Sequence, residues 1–171
     1  MSPRPARKPS VPAGVPPSLP RSPDLGERFR QYFPRVFAYV YGRTRDTHAT
    51  EALASEVFRI TFVEAHALAD EAAFESRLFS VARDLLIFYR REHDPREGAP
   101  ADNLLHSPEL ARILTQVRHL ALREQDIIAL KFDAQLTNAQ IAEVMELTER
   151  KVQAILYRTL RHISKALERE V

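Results

Sequence analysis

Residues 137–163 read TNAQIAEVMELTERKVQAILYRTLRHI, and this stretch decides the fold of the C-terminal half. Thr137 and Gln140 stand three apart, the spacing at which each side chain satisfies a backbone donor left unpaired by the first turn of a helix. The pattern predicts a short helix over Asn138 to Val144 that turns Ile141 and Ala142 inward, with Ala142 small enough for a second helix to cross close by. The turn Met145-Glu146-Leu147 follows. Thr148 is a good N-cap for a long second helix, and Glu149 sits favourably at its positive end. At about 100° per residue, Val152, Ile155, Leu156, Thr159, Leu160, Ile163 and Leu167 share one side of that helix. Arg150, Lys151, Ala154, Tyr157, Arg158, Arg161 and Lys165 share the other. A solvated basic face is the ordinary state of an amphipathic helix. Two capped helices across a short turn, the second with a basic and aromatic face, favour a helix-turn-helix that reads a DNA major groove.

Composition narrows the alternatives. The chain has 171 residues, four glycines and no cysteine. That length suits one or two small domains. Few glycines and no long alternating runs make the pattern helical. Without cysteine there are no disulfides, thiolate metal sites or cysteine nucleophiles. The six histidines, at 48, 66, 93, 106, 119 and 162, have no metal-ligand spacing. The glycines build neither a phosphate-cradling loop nor a dinucleotide fingerprint. Asp70-Glu71 reads as a pair of solvated loop acids. No apolar run is long enough to span a membrane, and the N-terminus lacks the apolar core of a signal peptide. The expectation is a cytoplasmic binding protein, not an enzyme, with no cofactor or metal.

The net charge of +2 becomes informative once divided along the chain. Residues 1–23 carry Arg4, Arg7, Lys8 and Arg21 and no acid, and they hold eight of the twelve prolines. Such a tail is expected to be disordered or polyproline-like. Residues 24–92 balance ten arginines against eleven acids, and residues 93–109 set one arginine against four acids. Residues 110–171 carry ten bases against eight acids. Basic charge therefore sits at the two ends.

Outward from the helix-turn-helix, more helices can be drawn. Leu25 to Arg43 places Phe29, Phe33, Val36, Phe37, Val40 and Tyr41 on one broad apolar side, with Pro34 expected to kink the helix or mark its start. Asp46 or Thr47 caps a second helix to about His66. A third, about Ala72 to Arg91, aligns Phe74, Leu78, Val81, Ala82, Leu85 and Tyr89 and ends in Tyr89-Arg90-Arg91. His93 to Ser107 lacks periodicity and reads as a flexible acidic linker. Ser107 then caps a helix with Pro108 at its first position, running to about Leu120. Another helix, Arg123 to Phe132, leads into the helix-turn-helix. The fold class is all-α, with two small helical domains, 24–92 and 108–171, joined by a linker at 93–107 and preceded by the tail 1–23.

Several strings carry a family likeness. Tyr32-Phe33-Pro34-Arg35-Val36-Phe37-Ala38-Tyr39, Leu53-Ala54-Ser55-Glu56-Val57-Phe58 and Leu78 to Ile87 with Tyr89-Arg90-Arg91 occur in that order. Leu130-Lys131-Phe132, the helix-turn-helix and Leu156-Tyr157-Arg158 follow. Together they resemble a bacterial RNA polymerase sigma factor of the sigma-70 family, extracytoplasmic-function (ECF) group, which has only regions 2 and 4. The likeness covers roughly residues 24–92 and 109–168. It departs from the family at Ala52, Ser55, Arg77 and Asp84, where Asp, Gln, Trp and Asn are usual. Glu146 replaces a turn glycine, so the turn is expected to avoid positive φ.

The resemblance implies a dissociable specificity subunit of core RNA polymerase that directs promoter recognition and transcription initiation. Arg35, Tyr39, Leu53, Glu56 and Phe58 would dock on the β′ clamp, with the β subunit as a further contact. Arg83, Tyr89, Arg90 and Arg91 would capture the single strand of the −10 element. Arg150, Lys151, Gln153, Ala154, Tyr157 and Arg158 would face the −35 major groove, while Arg161 and Lys165 grip phosphate. The linker would mimic RNA in the polymerase channel or act as a solvated spacer. An anti-sigma factor is an implied partner. A stand-alone helix-turn-helix regulator, and a sigma-derived interaction protein without initiation activity, are the alternatives.

Overall fold

A computed structural model describes residues 25–93 and 108–169. They form seven α-helices, one 3-10 turn and no strand: α1 (Leu25–Thr44), α2 (Thr47–Glu64), the 3-10 turn Ala65–Ala67, α3 (Glu71–Glu92), α4 (Pro108–Arg118), α5 (Leu122–Phe132), α6 (Asn138–Val144) and α7 (Glu149–Arg169). The expected tail at 1–23 and all of the expected linker except His93 lie outside the described residues, as does the Ser107 cap.

Local chemistry sets the helix ends. Asp46 caps α2 by accepting the Ala49 amide at 2.8 Å, and Asp70 caps α3 by accepting the Ala73 amide at 2.8 Å. The reading of Asp70-Glu71 as solvated loop acids is therefore corrected. Asp70 starts α3, and Glu71 takes a two-pronged bond from Arg28 at 2.9 and 3.1 Å. Pro34 does not begin α1, which starts nine residues earlier. Rings on both sides hold the segment together. Phe29 lies 5.0 Å from Phe33 and 4.8 Å from Phe58, and Phe33 lies 5.7 Å from Phe37. Such packing can outweigh the roughly 3 kcal/mol that an interior proline costs.

The deepest core residues of α1 are Tyr32, Val36, Tyr39 and Val40, while Phe29 is 39 % exposed. The apolar side is thus rotated from the one the spacing predicts. α2 brings Ala54, Val57 and Phe58 to the core, and α3 brings Phe74, Leu78, Phe79, Val81, Ala82 and Leu86. Each fully buried large side chain contributes roughly 1.5–3 kcal/mol. In the second half, Ile127 and Leu130 of α5, Ile141 of α6 and Val152 and Leu156 of α7 close a core that is continuous with the first. α3 packs on α6, and α1 touches α5.

Polar bonds fasten this junction. Arg35 donates to the Ala134 carbonyl at 2.7 Å and pairs with Glu75. Arg43 and Arg90 both reach Asp126, at 3.3 and 3.1 Å. Ser76 of α3 bonds Glu143 of α6, and Glu75 accepts from Gln140. In the described structure the two helical groups are docked on each other.

Candidate nucleic-acid interface

The helix-turn-helix is built as its residues dictate. Thr137 Oγ1 accepts the Gln140 amide at 3.2 Å, and Gln140 Oε1 accepts the Thr137 amide at 2.9 Å. The same Gln140 donates through Nε2 to Glu75, so one side chain caps α6 and fastens it to α3. α6 ends with the Leu147 amide bonded to the Ala142 carbonyl at 2.8 Å and the Glu146 amide to the Glu143 carbonyl at 3.1 Å. Those two bonds define a Schellman motif, which needs a left-handed residue just past the helix. Glu146 is that residue, with φ 53°. The expectation that this turn avoids positive φ is therefore corrected. The bond geometry fixes the conformation, and a side chain there bears a local strain that glycine would not.

Thr148 then caps α7 through the Lys151 amide at 3.3 Å. Val152, Leu156, Thr159 and Ile163 are buried against the domain. Leu160, expected to share that face, is 44 % exposed. On the outer side Arg150, Lys151, Gln153, Ala154, Tyr157, Arg158, Arg161 and Lys165 are all exposed, Tyr157 by 66 %. The side chains of Arg150, Lys151, Arg158, Arg161 and Lys165 make no hydrogen bond or ion pair among the described residues. This is a cationic, aromatic face that no ion pair among the described residues neutralises. At 1.5 Å per residue, Arg161 lies about 16 Å along the helix from Arg150, further than one turn of base contacts reaches.

The second candidate surface is differently placed. Tyr89 is half-buried and stacks on His93 with centroids 4.3 Å apart. Arg90 is held by Asp126, Arg91 is exposed, and Arg83 pairs loosely with Asp84, at 3.8 Å. The four residues lie on one helix, but the start of α5 stands over part of their face.

The candidates for docking on core polymerase separate in the same way. Leu53 and Glu56 lie on the outer part of α2, and Arg59 bonds Glu56 at 2.7 Å, which holds the carboxyl below its usual range. Phe58 is 3 % exposed and Tyr39 not exposed at all, so neither presents a contact surface; Phe58 supports α2 from within, and Tyr39 packs edge-on against Phe79 of α3. Burial pushes the Tyr39 phenol well above its usual range, and its hydroxyl has no hydrogen-bond partner among the described residues. Arg35 points into the junction. Arg77, standing where the family has tryptophan, bonds Glu64 at 2.6 and 3.0 Å and ties α3 to the end of α2. Asp84 and Ser55 are exposed.

An apolar groove of about 740 Å³ runs between the end of α1 and α4, α5 and α7, with Leu110, Ile113, Leu114, Phe132 and Leu160 along it. Asp133 at its rim is pushed above the usual carboxylate range by burial, against the pull of Arg43 and Arg45. Asp126 and the Ala134 carbonyl, which anchor the junction, carry no sequence signal, because their partners lie 36 to 99 residues away.

With this geometry in place, comparison with known proteins is informative. Residues 110–163 match the family described as sigma-70, region 4. The chain is 27 % identical over 162 residues to the ECF RNA polymerase sigma factor BldN of Streptomyces coelicolor, covering 84 % of this chain and 60 % of BldN. It thus spans less than two thirds of that relative's length. The fold is also that of CnrH, solved in complex with the cytosolic domain of CnrY. That likeness has a TM-score of 0.63 and 18 % identity, covering 86 % of this chain and 89 % of the other. The C-terminal half thus carries a sigma-70 region 4 match, and the chain as a whole is similar to an ECF sigma factor.

Proposed function

We propose that this protein is a sigma factor that binds core RNA polymerase and directs promoter recognition and transcription initiation. The observation that carries the reading is the unneutralised outer face of α7, presented by a capped helix-turn-helix inside the region 4 match. Arg150, Lys151, Gln153, Ala154, Tyr157 and Arg158 read the −35 major groove, and Arg161 and Lys165 hold phosphate. Arg83, Tyr89, Arg90 and Arg91 take the −10 strand by stacking and charge. Leu53 and Glu56 meet the β′ clamp, with Phe58 buried behind them, while Arg35 and Tyr39 act from the core and the junction. The apolar groove beside α4 and α7 suits an apolar element of the β subunit. Residues 24–92 and 108–171 act as two modules that part from the docked form when core polymerase binds.

An anti-sigma factor is a further proposed partner, supported by the structural relative's having been solved with a second protein bound. No helix among the described residues is long and apolar enough to cross a membrane, and the proposed place of action is the cytoplasm. The protein acts by binding, not as an enzyme, and needs no cofactor. Run-off transcription with core polymerase tests the reading. Promoter-specific transcripts that depend on this chain are expected. Co-purification with core polymerase but no transcript would instead mark a sigma-derived interaction protein.

A further inference from the structure

We propose that the cleft between the C-terminal half of α3 and the start of α5 is a binding site for a free nucleoside polyphosphate. Residues 83, 87, 90 and 91 recur at helical spacing, so α3 lines the cleft with three guanidinium groups and Ile87. α5 faces them with Arg123 and Leu122, and Met145 closes one side. The only carboxylate among the lining residues is Asp126, already shared between Arg43 and Arg90. The Arg91 and Arg123 side chains are exposed and make no hydrogen bond or ion pair among the described residues. The Nε of Arg83 is buried with no hydrogen-bond partner, and the nearest acid, Asp84, is 68 % exposed. α5 begins at this cleft without a side-chain cap, because its N-cap is Ala121. The positive end of that helix adds to the arginines, and Glu124 of its first turn lies outside the cleft lining.

Such an excess of cationic forks is matched by several phosphate oxygens, which guanidinium groups bind two at a time. A simple anion would leave Ile87, Leu122 and Met145 without a role, whereas a nucleobase covers them. The volume, about 560 Å³, accommodates one small molecule. Both helical groups supply the walls, so a ligand here ties α3 to α5 and stabilises the docked form by mass action. The site shares Arg83, Arg90 and Arg91 with the proposed −10 contacts, but its existence does not depend on the sigma-factor reading.

Isothermal titration of the full chain tests this, with ATP as the probe and sodium tripolyphosphate and a short DNA single strand as comparators. ATP is expected to bind saturably at one site per chain, about tenfold more tightly than tripolyphosphate, the difference a base on an apolar floor can supply. Arg123→Glu and Arg91→Glu should each weaken ATP by about tenfold or more while retaining the wild-type circular dichroism. Arg30→Glu removes the same charge from an exposed position of α1 outside the cleft, and should leave the affinity within about twofold. Absence of saturable ATP binding, or equal weakening by Arg30→Glu and Arg123→Glu, would overturn the proposal. So would a DNA strand that binds these arginines more tightly than ATP, since that result assigns the cleft to nucleic acid.

Discussion

On α7, Arg150, Arg158 and Arg161 stand in solvent with no acid against them, whereas on α3 Arg90 is paired with Asp126 and the start of α5 covers part of its neighbours' face. Both helices carry arginine and tyrosine on one side. What packs against each side makes the difference. α7 buries its apolar face on its own domain and leaves the basic face outward. The end of α3 is instead partly covered by the start of α5. Similar sequence chemistry thus yields one cationic face open to solvent and one partly covered by a neighbouring helix.

The largest expected effect comes from breaking the junction that creates this contrast. Asp126, Arg43 and Arg90 side chains are 9, 9 and 15 % exposed. Asp126→Ala leaves two nearly buried guanidinium groups without their shared acid. Loss of one partner in such a cluster typically costs about 3–5 kcal/mol. Urea denaturation followed by circular dichroism should show that loss, and small-angle scattering should show a larger radius of gyration at low urea. A variant as stable and compact as the parent would show that Asp126 does not hold the two halves together.

The next effect sharpens the comparison from the α7 side. Arg150→Ala or Gln153→Ala should change which −35 bases are preferred, by about 1–3 kcal/mol for a lost specific contact. Arg161→Ala, about 16 Å further along, should weaken all sequences alike and lower the salt slope by about one. Holoenzyme binding to single-base −35 variants at several salt concentrations checks both. If the patterns exchange, the helix lies in the groove the other way.

A smaller effect concerns the turn that aims α7. Glu146→Gly should raise stability by about 1 kcal/mol, because glycine occupies the left-handed region without the strain a side chain meets there. Chemical denaturation measures the gain, and −35 preference should stay as it was. An unchanged or lowered stability would mean that the Glu146 side chain contributes more than the strain removes.

The smallest effect is pH-linked. Burial raises the folded-state pKa of Asp133 above its unfolded value, so its contribution is fully present below the unfolded pKa. That contribution is lost as pH rises through the folded value. Asp133→Asn should therefore be more stable than the parent at neutral pH, with the advantage shrinking as the pH falls into the ordinary carboxylate range. Thermal melts across that range would show it, and an advantage that grows on acidification would contradict the assignment.

The sequence made local features legible because their causes are local. The Thr137–Gln140 box, the Asp46 and Thr148 caps, the length of α6 and the outer face of α7 each depend on residues within a few positions. Asp70 could have been read the same way, as an N-cap three residues before Ala73. The junction could not. Asp126 draws Arg43 and Arg90 from 83 and 36 residues away, and Ala134 accepts from Arg35 through a carbonyl that every residue possesses. The burial of Tyr39 and Phe58 escaped for a related reason. Aromatic residues at helical spacing mark a core and a contact surface equally well, until the neighbouring helices are placed.

We propose that this chain recognises promoters as part of a polymerase, with one surface open and one uncovered on assembly. Selection of bound fragments from random duplex DNA, at physiological salt, with and without core RNA polymerase, tests it most directly. The account predicts weak, unselective binding by the isolated chain. With core polymerase it predicts enriched fragments sharing two spaced elements, and permanganate-reactive thymines within the downstream one. Strong, sequence-specific selection by the isolated protein, unchanged when core polymerase is added, would contradict it.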